Sequence, residues 1–82
     1  GVKVYPNPAS SVVNVDLPAS TTAGNLYVNI TLENVYGTVL QTMQHHAVGT
    51  TVSFNLTGLL QGTYAVKVTW TNVLKTSTII KM

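Results

Sequence analysis

Leu26-Tyr27-Val28-Asn29-Ile30-Thr31-Leu32-Glu33 is the stretch on which the fold turns. Leu26, Val28, Ile30 and Leu32 fall on one phase, and Tyr27, Asn29, Thr31 and Glu33 on the other. Successive side chains of an extended backbone point to opposite faces, so period-two alternation marks a half-buried strand. Branching at Cβ in Val, Ile and Thr favours the same pleated surface.

Working outward, the pattern recurs. Residues 2–5 read as a short opening strand, and Val13, Val15 and Leu17 alternate with Asn14 and Asp16. Asn34-Val35-Tyr36-Gly37 reads as a hairpin turn into residues 38–44. Val52, Phe54 and Leu56 alternate with Thr51, Ser53 and Asn55. Tyr64, Val66, Val68 and Trp70 alternate with Ala65, Lys67 and Thr69, and residues 74–81 close the chain with mixed alternation. Residues 18–24 and 45–49 read as loops. Seven short strands separated by turn signals predict an all-β fold, a seven-stranded antiparallel immunoglobulin-like β-sandwich. Neither a linker nor a repeat interrupts it, so residues 1–82 are expected to form a single domain.

An 82-residue chain buries only about 60–65% of its unfolded surface, which leaves little room for a deep substrate pocket. About a third of the residues are Thr, Asn, Ser or Gln, while charged residues supply 7%. Hydroxyls and amides therefore keep the outer faces soluble. Few charges also leave sheet edges weakly protected, so an edge-strand dimer is a possible association. Net charge is +2 and arginine is absent, which argues against nucleic acid as a partner. Cysteine is absent too, so disulfides and thiolate metal sites are excluded. No apolar run approaches the ~20 residues of a membrane-spanning helix, and no signal peptide opens the sequence.

The chemistry-bearing residues are sparse. Asp16 and Glu33 are the only acids, on the polar phases of different strands, and read as solvated rather than as a paired catalytic set. His45 and His46 are adjacent, so on a strand they point apart and cannot readily share a metal. The serines lack a glycine-rich elbow, and neither histidine has an obvious carboxylate orienter. No catalytic residue, cofactor site or metal site is expected, and the chain does not read as an enzyme.

Three segments stand out. In Tyr5-Pro6-Asn7-Pro8-Ala9-Ser10 the prolines push their predecessors toward extended backbone, predicting a stiff, exposed arm. In Leu59-Leu60-Gln61-Gly62-Thr63-Tyr64, Gly62 is expected at positive φ, and the Tyr64 phenol is placed to bond back to the preceding turn. The final stretch from Leu74 to Met82 holds Lys75 and Lys81, two of the four lysines.

In this order and at these spacings the segments resemble the type A C-terminal sorting domain of the type IX (Por) secretion system of Bacteroidota. The likeness runs from Tyr-Pro-Asn-Pro at residues 5–8, through Val35-Tyr36-Gly37-Thr38-Val39-Leu40 and Leu59-x-x-Gly62-x-Tyr64, to Lys75 and Lys81. It covers nearly the whole chain. The sequence departs from the family pattern at Leu60, where proline is common, and at Thr71-Asn72-Val73, where glycine is frequent.

The resemblance implies a non-catalytic secretion signal on a longer chain, with a cargo domain N-terminal to it. Such a signal directs its cargo through the periplasm and across the outer membrane, to the cell surface or the medium. The partners implied are the type IX translocon and a surface sortase-like peptidase that cuts the signal off. The recognition candidates it suggests are Pro6, Asn7, Pro8, Gly37, Gly62, Tyr64, Lys75 and Lys81, of which Gly37, Gly62 and Tyr64 read chiefly as fold residues. The competing expectation is a carbohydrate-binding or adhesive sandwich module, which an exposed row of aromatics on one face would favour.

Overall fold

The computed structural model describes residues 2–17, 27–45, 51–70 and 73–82. Among them run seven strands: β1 (Lys3–Tyr5), β2 (Val12–Asp16), β3 (Val28–Glu33), β4 (Val39–His45), β5 (Thr51–Asn55), β6 (Gly62–Trp70) and β7 (Val73–Lys81). They form two sheets, one ordered β1-β2-β5 and the other β4-β3-β6-β7, with every ladder antiparallel. The described residues contain no helix.

The alternation that predicts the strands also builds the core. Val13, Val15 and Leu17 from β2 and its end, and Val52, Phe54 and Leu56 from β5 and its end, turn inward from the smaller sheet. Val28, Ile30 and Leu32 of β3 and Tyr64, Val66 and Val68 of β6 face them from the larger one. Each sheet thus contributes one apolar phase to one shared core, the arrangement that buries both faces at once.

Two lateral ties lace the sheets together. Gln41 Nε2 on β4 donates to the carbonyl of Asn55 on β5 at 2.8 Å. On the other side, the backbone of Ala9 bonds β7: Ala9 N–H donates to Ile80 O and Met82 N–H to Ala9 O, both at 2.8 Å. Ala9 is fully buried, and it forms a parallel bridge with Lys81.

Strand β7 explains its own mixed pattern. Among the described strands it pairs with β6 alone, so its far edge is a sheet edge. Ile79 alone in β7 is buried; Val73 and Lys75 stand on the same phase but are exposed, at the end remote from Ala9.

Two expectations need correction. Residues 6–8 do not form a straight arm: the chain bends at Asn7 and Pro8, and the Tyr5-Pro6 and Asn7-Pro8 peptides are cis. The bonds to β7 draw the chain across the edge rather than away from it. Glu33 is not a solvated acid either. It is 8% exposed, and its register shifts against β4 just there, at a bulge between Leu32 and Glu33. The loop expected at 18–24 lies outside the described residues, as does most of that expected at 45–49, apart from His45 at the end of β4.

Candidate functional site

The Tyr-Pro-Asn-Pro segment is tethered to both sheets. Tyr5 ends β1, and its phenol donates to Asp16 Oδ1 at 2.9 Å, holding the start of the segment on the smaller sheet. Thr51 Oγ1 donates to the same oxygen at 2.6 Å. These two donors hold the Asp16 carboxyl below the usual carboxylate range, and the bond to Asp16 raises the Tyr5 phenol. Lys3 Nζ lies 5.3 Å from the centre of the Tyr5 ring, within reach of a cation–π contact.

Two residues on, Asn7 grips the other sheet. Its Oδ1 accepts from Ile80 N–H at 2.9 Å, and its Nδ2 donates to Thr78 O at 3.2 Å. A side-chain amide carries a donor and an acceptor side by side, so here it imitates a neighbouring strand. Pro6 and Pro8 flank it, exposed and without amide donors of their own. Together with Ala9, this occupies the outward backbone groups from Thr78 O to Met82 N–H, at and just past the end of β7. The arm and the final strand, separate motifs in the sequence, are one structure.

Two turns arrive at the same end. In the β3–β4 turn, Gly37 N–H donates to Asn34 O at 3.0 Å, and Asn34 Oδ1 accepts from Tyr36 N–H at 2.9 Å and Thr38 N–H at 3.0 Å. Gly37 has φ +81°, the left-handed region that glycine reaches without penalty. At the β5–β6 corner, Tyr64 is buried and its phenol donates back to Leu60 O at 2.7 Å. Gly62 starts β6 at φ +149° and pairs with Lys81. An open groove of about 460 Å³ runs between the two turns, lined by Val35, Tyr36, Leu60, Gly62, Thr63 and Tyr64 among others. Tyr36 is 89% exposed and Leu60 82%, and none of the described residues lining the groove is charged.

Of the candidates from the sequence, Pro6, Asn7, Pro8, Gly37, Gly62, Tyr64 and Lys81 gather at this end. Lys75 does not; it pairs with Val68, toward the opposite end of β7. Gly37, Gly62 and Tyr64 have backbone or corner roles here. Lys81 Nζ donates to Met82 O at 2.7 Å. Sequence reasoning missed Ala9, whose pairing partner is remote in the chain and leaves no local signal. It also missed the exposure of Val35, Tyr36 and Leu60, since apolar residues in turns carry no periodicity.

The remaining titratable groups stand apart. Glu33 Oε1 pairs with Lys67 Nζ at 3.1 Å on the larger sheet, and Thr31 Oγ1 donates to Glu33 Oε2 at 3.2 Å. Asp16 lies on the smaller sheet, so the two acids do not form a pair across a cleft. Among the described residues no three of His, Asp and Glu gather as metal ligands. The side chain of His45, and all of His46, lie outside them. The aromatics form no row: Tyr36 is at the end opposite Tyr27 and Trp70, and Tyr64 is buried.

The described end is thus a clasped strand end flanked by two turns. A family model described as the secretion system C-terminal sorting domain matches residues 3–82. No curated protein matches the chain. Domains of this family are type IX secretion signals, non-catalytic targeting segments that send a cargo chain across the outer membrane to the cell surface or the medium. The arm, the Gly37 turn, the Tyr64 corner and the final strand all fall inside the matched residues, and the chain belongs to the secretion system C-terminal sorting domain family.

Proposed function

We propose that the type IX machinery reads this domain at the end where residues 6–9, 34–37, 60–62 and 80–82 meet, with Pro6, Asn7, Pro8 and Lys81 as contact residues. One observation carries the reading: Asn7 holds Ile80 N–H and Thr78 O, so the two most distinctive motifs create a single surface only when the fold is complete. Gly37, Gly62 and Tyr64 support that surface from behind by fixing its turns.

The framework behind it is an immunoglobulin-like sandwich. Its support is the sheet order, with β1, β2 and β5 in one layer and β4, β3, β6 and β7 in the other, and the tyrosine corner at the start of β6. Residues 1–82 act as one signal domain on a longer chain, with the cargo attached at the Gly1 side. A surface sortase-like peptidase then removes the signal, leaving the cargo attached to the surface or released. The sugar-binding alternative loses its main support because the exposed aromatics are divided between opposite ends.

The test is a fluorescent reporter carrying this domain in a type IX-competent bacterium. Asn7→Ala and Lys81→Glu should each lower surface delivery, while Lys67→Gln, away from this end, leaves it near wild type. Purified variants are checked for folding first, so that loss of delivery is not loss of structure. Delivery that is unaffected by both end variants would refute the placement of the reading surface.

A further inference from the structure

Residues 6–9 cover only half of the β7 edge. Thr78, Ile80 and Met82 direct their backbone groups outward, as their bonds to Asn7 and Ala9 require. The β6–β7 register continues without a shift from Gly62↔Lys81 to Trp70↔Val73, so Thr76 and Leu74 direct their N–H and C=O outward as well. Among the described residues nothing bonds those groups. Leu74 is 58% exposed, and Thr76 and Lys75 are exposed beside it. This is an open sheet edge in a chain with few charges.

Lys75 lies between the two open residues, and both acids of the chain are engaged elsewhere: Asp16 with Tyr5 and Thr51, Glu33 with Lys67. That lysine decides which strand can add. In a β7–β7 pairing of two copies, Thr78 O is already taken by Asn7. The register that pairs both open residues therefore sets Leu74 against Thr76 of the second copy and Lys75 against Lys75. Side chains at such a non-hydrogen-bonded position lie about 4.5–5.5 Å apart at Cβ, and like charges there repel. A second copy is disfavoured; a strand with a carboxylate at that place is favoured.

We infer that the open half of β7 is a docking edge for an extended segment of a partner protein, added as a further strand, with Asp or Glu opposite Lys75. The inference rests on the reading of the domain as a signal recognised by the export machinery, and it names the chemistry of one partner segment. Residues 6–9 set the limit of the added strand, because from the Thr78 carbonyl onward the edge is occupied.

The probe is a disulfide-closed hairpin peptide whose free edge strand reads Thr-Val-Glu-Val-Thr, compared with the same peptide carrying Lys at the centre. Binding to the isotopically labelled 82-residue chain is followed by nuclear magnetic resonance. The Glu peptide should shift the amides of Leu74 and Thr76 and bind roughly two- to fivefold tighter than the Lys peptide. Lys75→Glu should reverse the preference. Unmoved Leu74 and Thr76 amides, equal affinity for the two peptides, or a β7-paired dimer of the wild-type chain would each overturn the inference. The export reading is tested separately: a domain that delivers the reporter but ignores both peptides loses the docking edge alone.

Discussion

Replacing Asn7 by alanine removes two hydrogen bonds without touching the core. Ile80 N–H loses its acceptor at 2.9 Å and Thr78 O its donor at 3.2 Å. Asn7 is exposed, so water reaches both freed groups and the full penalty of a buried orphan does not apply. Each bond then contributes about 0.5–1 kcal/mol, for a sum of about 1–2 kcal/mol. In a domain of this size 1 kcal/mol moves Tm by roughly 4–8 °C, so a fall of about 5–15 °C is expected. Amide exchange locates the effect. Ile80 should lose protection most, while Met82, bonded to Ala9 O, should lose less. Asn7→Asp keeps the acceptor for Ile80 N–H but turns a donor into a charge facing the Thr78 carbonyl, so it should fall between wild type and alanine. Unchanged Ile80 exchange, with stability within the roughly 0.5 kcal/mol typical of surface substitutions, would sink the clasp.

Other perturbations separate the supporting features. Tyr64→Phe removes the bond to Leu60 O and should cost about 0.5–1.5 kcal/mol in urea denaturation, with the strands intact by circular dichroism. Gly37→Ala meets no neighbour within 4 Å, so its cost is the left-handed strain alone, about 1–2 kcal/mol in the same assay, with asparagine losing less. Lys67→Ala leaves the largely buried Glu33 carboxylate with only the Thr31 hydroxyl; about 1–2 kcal/mol should be lost, and Glu33→Gln added on top should recover part of it. The hydroxyls of Thr51 and Tyr5 hold the Asp16 carboxyl below the ordinary aspartate range, so its contribution is complete above that range and is lost as pH falls through the lower folded value. Acid titration of Asp16→Asn should therefore show a shallower decline than wild type.

The strands were legible because each lies on a two-residue period with one apolar phase, from Val13 and Val15 to Val66 and Val68. The Asn34–Gly37 turn and the Tyr64 corner were legible because turn chemistry is local. Sequence did not disclose that Asn7 would bond Thr78 and Ile80, since no short-range pattern links residues so far apart. For the same reason it joined Lys75 to Lys81 in one motif, although they sit toward opposite ends of β7. Glu33 was misjudged because its polar phase is correct while its burial depends on the bulge and on Lys67 of the neighbouring strand.

The lacing of residue 7 to residues 78 and 80 makes the proposed reading surface a test of completeness. A chain broken anywhere between them carries the Pro-Asn-Pro motif but cannot build the clasp. Contacts of such long sequence separation also carry a loop-closure cost that the intervening strands must offset. A machine that reads this end therefore engages only molecules whose synthesis and folding have both run through the address, and passes over fragments that display its opening letters alone.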